Sequence, residues 1–182
     1  RMRTFEAASS FQKKKERPLA IADPYAGVGP SMALLYTDAN IVSNVYVNDM
    51  NPEAIPLLKQ NMERFHSRRK HEGTYTIECM DARKIADERP EMLGCADVLL
   101  VNLPHDSIAH LPHLLPLLSD ETSLVCGWSI QERSTDILSQ LQSTLMESGR
   151  TMLQHTIEEV KGFSTTKAMF RYEFVLSKKN KR

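Results

Sequence analysis

Long apolar runs, paired cysteines and an excess of charge of either sign are all missing from this chain. Each absence closes off a class of protein. No hydrophobic stretch approaches the roughly 20 residues a membrane helix needs, so no membrane partner is expected. No secretory leader is visible either. The three cysteines, Cys79, Cys95 and Cys126, stand far apart without a Cys-x-x-Cys pair. That spacing gives no disulfide framework and points to buried thiols in a reducing, intracellular compartment. Among the six histidines, His110 and His113 could share a helical face, but no cysteine or carboxylate stands at ligand spacing from them. His105, His110 and His113 therefore read as surface or helix-edge residues, and no metal is expected. Lys and Arg number 23, as do Asp and Glu, so the net charge is zero, whereas a nucleic-acid binder is more often basic. Local basic clusters do exist at Lys13-Lys14-Lys15, from Arg64 to His71 and from Lys178 to Arg182. Each reads either as a phosphate-binding patch or as a solvated helix end, loop or tail.

What is present fits one globular domain of ordinary composition: 182 residues, 41% hydrophobic and 25% charged. The chain opens on Arg1 rather than Met, which reads as the start of a fragment or processed product. Residues 1–18 suggest an N-terminal helical extension, with a helix around Phe5 to Phe11 that the lysine run and Pro18 end. Residues 19–182 form the main domain. Leu19 to Pro24 predicts a buried strand, and Asp23-Pro24-Tyr25-Ala26-Gly27-Val28-Gly29-Pro30 a tight glycine turn into a helix from about Pro30 to Thr37. Val45 to Asp49 is a second strand. Asn51-Pro52-Glu53 then reads as cap, first-turn proline and acid of an amphipathic helix carrying Ile55, Leu58, Met62 and Phe65.

Tyr75 to Asp81 makes a third strand, followed by a short helix starting near Asp81-Ala82-Arg83. Ala96 to Asn102 is the strongest central-strand candidate. Ile108 to Leu118 predicts a helix kinked at Pro112 and Pro116. Glu121 to Trp128 is a fifth strand, Ser134 caps the next helix, and Gly149 stops it. His155 to Val160 and Met169 to Leu176 close the chain as two strands around a loop at Gly162 to Lys167. Strand–helix alternation implies an α/β domain: a mostly parallel sheet with helices on both faces and right-handed crossovers. The terminal hairpin makes the last strand antiparallel.

Four strands end on polar residues: Asp23, Asp49, Asp81 and Asn102. The carboxyl ends of strands are the ligand edge in this architecture. Any one of them could merely cap a helix, but four in succession beside a Gly-x-Gly turn favour a nucleoside-like ligand. A dinucleotide fingerprint would need its third glycine where Met32 stands, with Pro30 intervening, and a Gly-Lys-Ser/Thr phosphate motif is absent. Asp49 suits a ribose, because a carboxylate accepts from both vicinal hydroxyls.

These corners resemble class I S-adenosylmethionine-dependent methyltransferases. The resemblance rests on Asp23 to Pro30, Asn48-Asp49-Met50-Asn51-Pro52-Glu53-Ala54, Asp81-Ala82-Arg83 and Asn102-Leu103-Pro104. Within that class they look most like the tRNA guanine-N1 methyltransferases and their aminocarboxypropyl-transferring relatives of wybutosine synthesis. The likeness implies a Rossmann-like seven-stranded sheet and S-adenosyl-L-methionine as cofactor. It also implies RNA as partner, tRNA first and ribosomal RNA as the alternative, and an upstream RNA-binding domain or partner protein. It places Asp23, Tyr25, Gly27, Gly29, Asp49, Met50, Asp81, Ala82 and Asn102 around the cofactor, and Asn102-Leu103-Pro104 at the acceptor nitrogen. Arg3 and Glu53 are the candidates for the family's catalytic arginine and glutamate. His105-Asp106-Ser107 departs from the small or apolar residues usual after that motif; it supplies either a base or the mark of a site adapted away from catalysis. The expected compartment is cytoplasmic, with mitochondrial as alternative. Two functions stay open: an RNA base methyltransferase, and a catalytically degenerate relative acting as a ribonucleoprotein binding or assembly factor. Trp128, Phe163 and Lys167 read either as substrate-facing or as packing and loop residues.

Overall fold

Adjacent residues of the central strands send side chains to opposite faces, and both faces are apolar. Ala22, Leu99, Val101 and Val125 enter one hydrophobic cluster, whereas Ile21, Val98, Leu100 and Cys126 enter the other. A sheet apolar on both faces must be covered on both, which is why helices alternate with its strands. The computed structural model describes residues 2–38 and 40–178. Helix α1 (Met2–Lys15) is followed by β1 (Leu19–Asp23), α2 (Met32–Leu35), β2 (Val42–Asn48), α3 (Ile55–His66) and β3 (Thr74–Glu78). A 3-10 turn (Ala82–Lys84) leads into α4 (Ile85–Glu88) and β4 (Val98–Val101). Then come α5 (Ser107–Leu114), β5 (Ser123–Glu132), α6 (Ile137–Glu147), β6 (Arg150–Gly162) and β7 (Lys167–Lys178).

The seven strands form one sheet in the order β3-β2-β1-β4-β5-β7-β6. Strands β1 to β5 pair in parallel, and β7 inserts antiparallel between β5 and β6. The expected architecture, mostly parallel with an antiparallel last strand, is what forms. Ala8 and Phe11 of α1 sit in the same buried cluster as residues of α2 and α3, while α4, α5 and α6 feed the cluster on the other face.

Several boundaries differ from the sequence reading for identifiable reasons. Helix α2 is only four residues long, not a helix from Pro30 to Thr37. The Thr37 hydroxyl donates back to the carbonyls of Ala33 (2.9 Å) and Leu34 (3.3 Å), a bond that competes with continuing the helix. Asn51 does accept the Glu53 amide at 3.0 Å, but it caps a turn, and regular helix begins at Ile55. Asp136, not Ser134, caps α6, accepting the Ser139 amide at 3.0 Å. Strands β5 and β6 outrun the expected Glu121–Trp128 and His155–Val160, because β7 offers each a ladder of ten or more partners. Gly127 is fixed by that crossing: the Tyr172 ring leaves no room for a Cβ there.

Candidate cofactor and acceptor site

The turns leaving β1, β2, β3 and β4 enclose a cavity of about 780 Å3. That lies within the roughly 300–1,000 Å3 of small-molecule sites. Its base is the turn after β1. Gly27 has φ +56° and Gly29 φ +79°, the left-handed region that glycine occupies without steric cost. The Gly27 amide donates to Oδ2 of Asp49 at 2.8 Å, while Oδ1 of Asp49 accepts the Asn51 amide at 2.9 Å. Backbone donors thus fix the Asp49 carboxylate at the end of β2, with further lone pairs toward the cavity.

Asn48 precedes it and is fully buried. Its amide nitrogen donates to the carbonyls of Pro24 and Met80, both at 3.0 Å, and its oxygen accepts the Met80 amide at 3.1 Å. One side chain therefore clamps the turns after β1 and β3 together around β2. In the sequence Asn48 shows only as an amide just before a strand-end acid.

Asp81 caps the 3-10 turn through the Arg83 amide (3.0 Å), and the Arg83 guanidinium forks onto it at 2.6–3.1 Å. Those Arg83 bonds hold the Asp81 carboxyl down at about 2. At the end of β4, Asn102 donates its Nδ2 to the Asp23 carboxylate at 3.1 and 3.3 Å. Asp23 is fully buried, and burial pushes its carboxyl up to about 7 against the opposing bonds from Asn102 and the Tyr25 amide. The Asn102 oxygen accepts no hydrogen bond among the described residues. It is the free acceptor beside Leu103 and Pro104.

The structure brings most of the expected residues to one cavity. Tyr25, Gly27, Asp49, Met50, Asp81, Ala82, Asn102, Leu103 and Pro104 all line it. Two stand behind the wall. Asp23 reaches it only through Asn102, and Gly29 faces α3, where a Cβ would lie 2.9 Å from Leu58 Cδ1. Arg3 lies elsewhere, on α1, paired with Glu158 of β6. Glu53 does not line the cavity. Of His105-Asp106-Ser107, only Asp106 reaches the wall; Ser107 is buried under it and His105 is exposed. Trp128 and Met169 complete it from β5 and β7, Trp128 half-buried. His110, expected at a helix edge without a role, is also a wall residue. Its approach depends on how α5 packs and had no sequence signal. Phe163 and Lys167 are exposed and off the wall.

No protein-family model matches the sequence, and no curated protein matches it. Solved structures do match in fold. M. jannaschii TYW2, solved with AdoMet, superposes with a TM-score of 0.75 at 13% identity, over 94% of this chain and 76% of that one. Trm5b from Pyrococcus abyssi superposes at 0.71 with 19% identity, over 94% of this chain but 48% of its own length. The cyclase SpnF matches at 0.68 with 11% identity, over 98% of this chain and 81% of that one. This chain thus spans between about half and three quarters of the first two. The fold is the one shared by S-adenosylmethionine-dependent methyltransferases. A cyclase on that fold shows that the reaction has to be argued from the site.

Proposed function

We propose that this chain is the catalytic domain of an S-adenosylmethionine-dependent RNA methyltransferase acting on a base nitrogen, with guanine in tRNA as the favoured acceptor. The carrying observation is the Asn102–Asp23 pair. A buried carboxylate takes the amide's Nδ2, which turns Oδ1 into a fixed acceptor at the mouth of the nucleoside-sized cavity.

The residues fit the cofactor. Asp49, fixed by the Gly27 amide, would accept the ribose hydroxyls, Asp81 and the Ala82 backbone would meet the adenine edge, and Gly27 would leave room for the methionine portion. When bound, S-adenosylmethionine supplies an electrophilic methyl group on a sulfonium. The chain's own part is positioning, which contributes much of the rate in a two-partner reaction. Asn102 Oδ1 holds a donor nitrogen of the acceptor. The Leu103 carbonyl accepts the Asp106 amide at 3.2 Å and the Pro104 carbonyl the Ile130 amide at 2.7 Å, so this turn is braced from both sides. Trp128 and Met169 offer a flat apolar wall to a planar base. Asp106 is the wall group placed to take a ring proton. Because the chain is neutral, capture of the rest of the RNA falls to a further domain or partner.

Calorimetry with S-adenosylhomocysteine, followed by transfer of labelled methyl to tRNA transcripts and nucleoside mass analysis, tests this. Binding and a methylated guanosine are expected. Asn102→Ala should keep cofactor affinity within about threefold and lose about 10²–10³ in transfer, the scale of one preorganised polar contact. No cofactor binding overturns the enzyme reading. Binding without transfer to any RNA turns it into the assembly-factor reading, and a heavier group than methyl on the product moves it to the aminocarboxypropyl branch.

A further inference from the structure

The strand-end residues account for the ribose and the acceptor, but one wall residue comes from the face of a helix. His110 projects from α5 into the cavity, and its Nδ1 lies 2.7 Å from the Tyr25 hydroxyl. The two rings are 5.9 Å apart and tilted by 49°, so the contact is a hydrogen bond rather than a stack. Either atom could donate, and the Tyr25 hydroxyl, with no other partner among the described residues, is free to do so. Burial raises the Tyr25 phenol well above its ordinary value, so it keeps its proton and has one hydrogen to give. Burial, with the nearby Arg83 guanidinium, lowers the His110 imidazole, so the ring is neutral at neutral pH. A neutral imidazole that accepts at Nδ1 carries its hydrogen on Nε2. With the Tyr25 hydroxyl as donor the hydrogen of the ring sits on Nε2, an atom without a partner among the described residues.

His110 lines the cavity together with Asp81, Ala82 and Arg83, of which the cofactor reading assigns Asp81 and Ala82 to the adenine. An adenine offers its exocyclic amine as a donor and its ring nitrogens as acceptors. Asp81 can only accept. It is therefore complementary to the amine, and a second neutral donor is what a ring nitrogen requires.

Resting on the cofactor reading of this cavity, we propose that His110, held as its Nε2–H tautomer by Tyr25, is a specificity-determining residue that donates to a purine ring nitrogen of the bound nucleoside. The ligand class is a 6-aminopurine nucleoside. The Tyr25–His110 pair reads one ring nitrogen while Asp81 reads the amine and the Ala82 amide another ring position. Removing the Tyr25 hydroxyl would release the tautomer, so that His110 presents a donor only part of the time.

The test measures affinities of S-adenosylhomocysteine and its 1-deaza, 3-deaza and 7-deaza analogues for wild type, His110→Ala, His110→Gln and Tyr25→Phe. Thermal melts confirm folding of each variant. Wild type should bind one analogue, the one lacking the acceptor His110 uses, about tenfold more weakly than the parent, one hydrogen bond's worth. His110→Ala should bind the parent about tenfold more weakly and lose that discrimination while keeping any discrimination due to Ala82. Tyr25→Phe should reduce it partially. If His110→Ala does not fold, His110→Gln carries the same comparison, since its amide donates from a different position and should weaken the discrimination. Unchanged discrimination across the folded His110 variants overturns this inference alone. Failure of wild type to bind S-adenosylhomocysteine overturns the cofactor reading and the inference with it.

Discussion

The two ends of the sheet treat a buried carboxylate in opposite ways. Asp97 stands just before β4 and Asp23 ends the neighbouring β1; they are 3% and 0% exposed. About five strand residues separate the Asp97 end from Asn102, roughly 16 Å. At the lower end Asp97 receives both Arg17 guanidinium nitrogens (2.7 and 2.8 Å) and the Ala20 amide (3.0 Å), with the Lys15 ammonium at 3.5 Å. Burial alone would raise its pKa, but those partners hold it below the ordinary value. At the upper end Asp23 is touched by amides and by no cation among the described residues, and burial wins. A fully compensated carboxylate binds the structure together. An under-compensated one, bonded to a residue of the cavity wall, is the kind of perturbed group that functional sites hold.

Asp97→Ala should produce the larger stability effect. It breaks a two-pronged ion pair and leaves the half-buried Ala20 amide without its acceptor. Loss of a buried pair costs about 3–5 kcal/mol when one charge is left desolvated. Arg17 is 47% exposed and can return to water, so the discounted expectation is about 3 kcal/mol by chemical denaturation. Affinity for S-adenosylhomocysteine, measured under native conditions, should not move. A matching fall in affinity would erase the contrast between the two ends.

Asp23→Asn should act in the other direction and carries a pH signature. The Asp23 carboxyl has its pKa raised from 3.8 to about 7, so the folded state holds a proton that the unfolded chain has released. Its contribution is neutral below about pH 4. Stability then declines by up to about 1.4 kcal/mol per pH unit as pH rises toward 7, and stays flat above. Asp97 has the opposite sign: its lowered pKa adds stability above its unfolded pKa that disappears as pH falls through its folded one. Asp23→Asn should abolish the decline between pH 4 and 7. At pH 8 it should raise stability by about 2 kcal/mol, the relieved penalty less about 1–3 kcal/mol for an amide hydrogen left without a partner. Denaturation midpoints across pH check it. An unchanged slope would mean that Asp23 is ionised without strain in the folded chain.

This contrast was only half visible in the sequence. Asp23, Asp49, Asp81 and Asn102 announce themselves as polar residues ending apolar strands, and the Gly27 turn places a ligand beside them. Such signals are local. Asp97 is indistinguishable from the rest of its strand in the sequence, because its partner Arg17 lies 80 positions away and no periodicity reports that pairing. The packing of Gly29 is hidden for the same reason: a Cβ there would meet Leu58 on α3, 29 positions away. His110 reached the wall through packing of α5, and β5 and β6 took their lengths from pairing with β7. Pairings distant along the chain decide all of these.

The smallest expected effect separates the two causes that hold Asp97 ionised. Arg17→Lys keeps the charge but loses the planar fork that reaches both carboxylate oxygens at once. Lys15 already lies 3.5 Å from Oδ1 and can take up part of the interaction, and the arginine is half in water. The cost should therefore be about 0.5–1 kcal/mol, the range of an exposed pair rather than a buried one. Raising the salt concentration should shrink the difference between Arg17→Lys and wild type, because the exposed part of the pair is screened within a Debye length of about 8–10 Å. A loss as large as that of Asp97→Ala would mean that the fork geometry, not the Ala20 amide, carries the lower end of the sheet. No loss at all would assign that work to the amide and to Lys15.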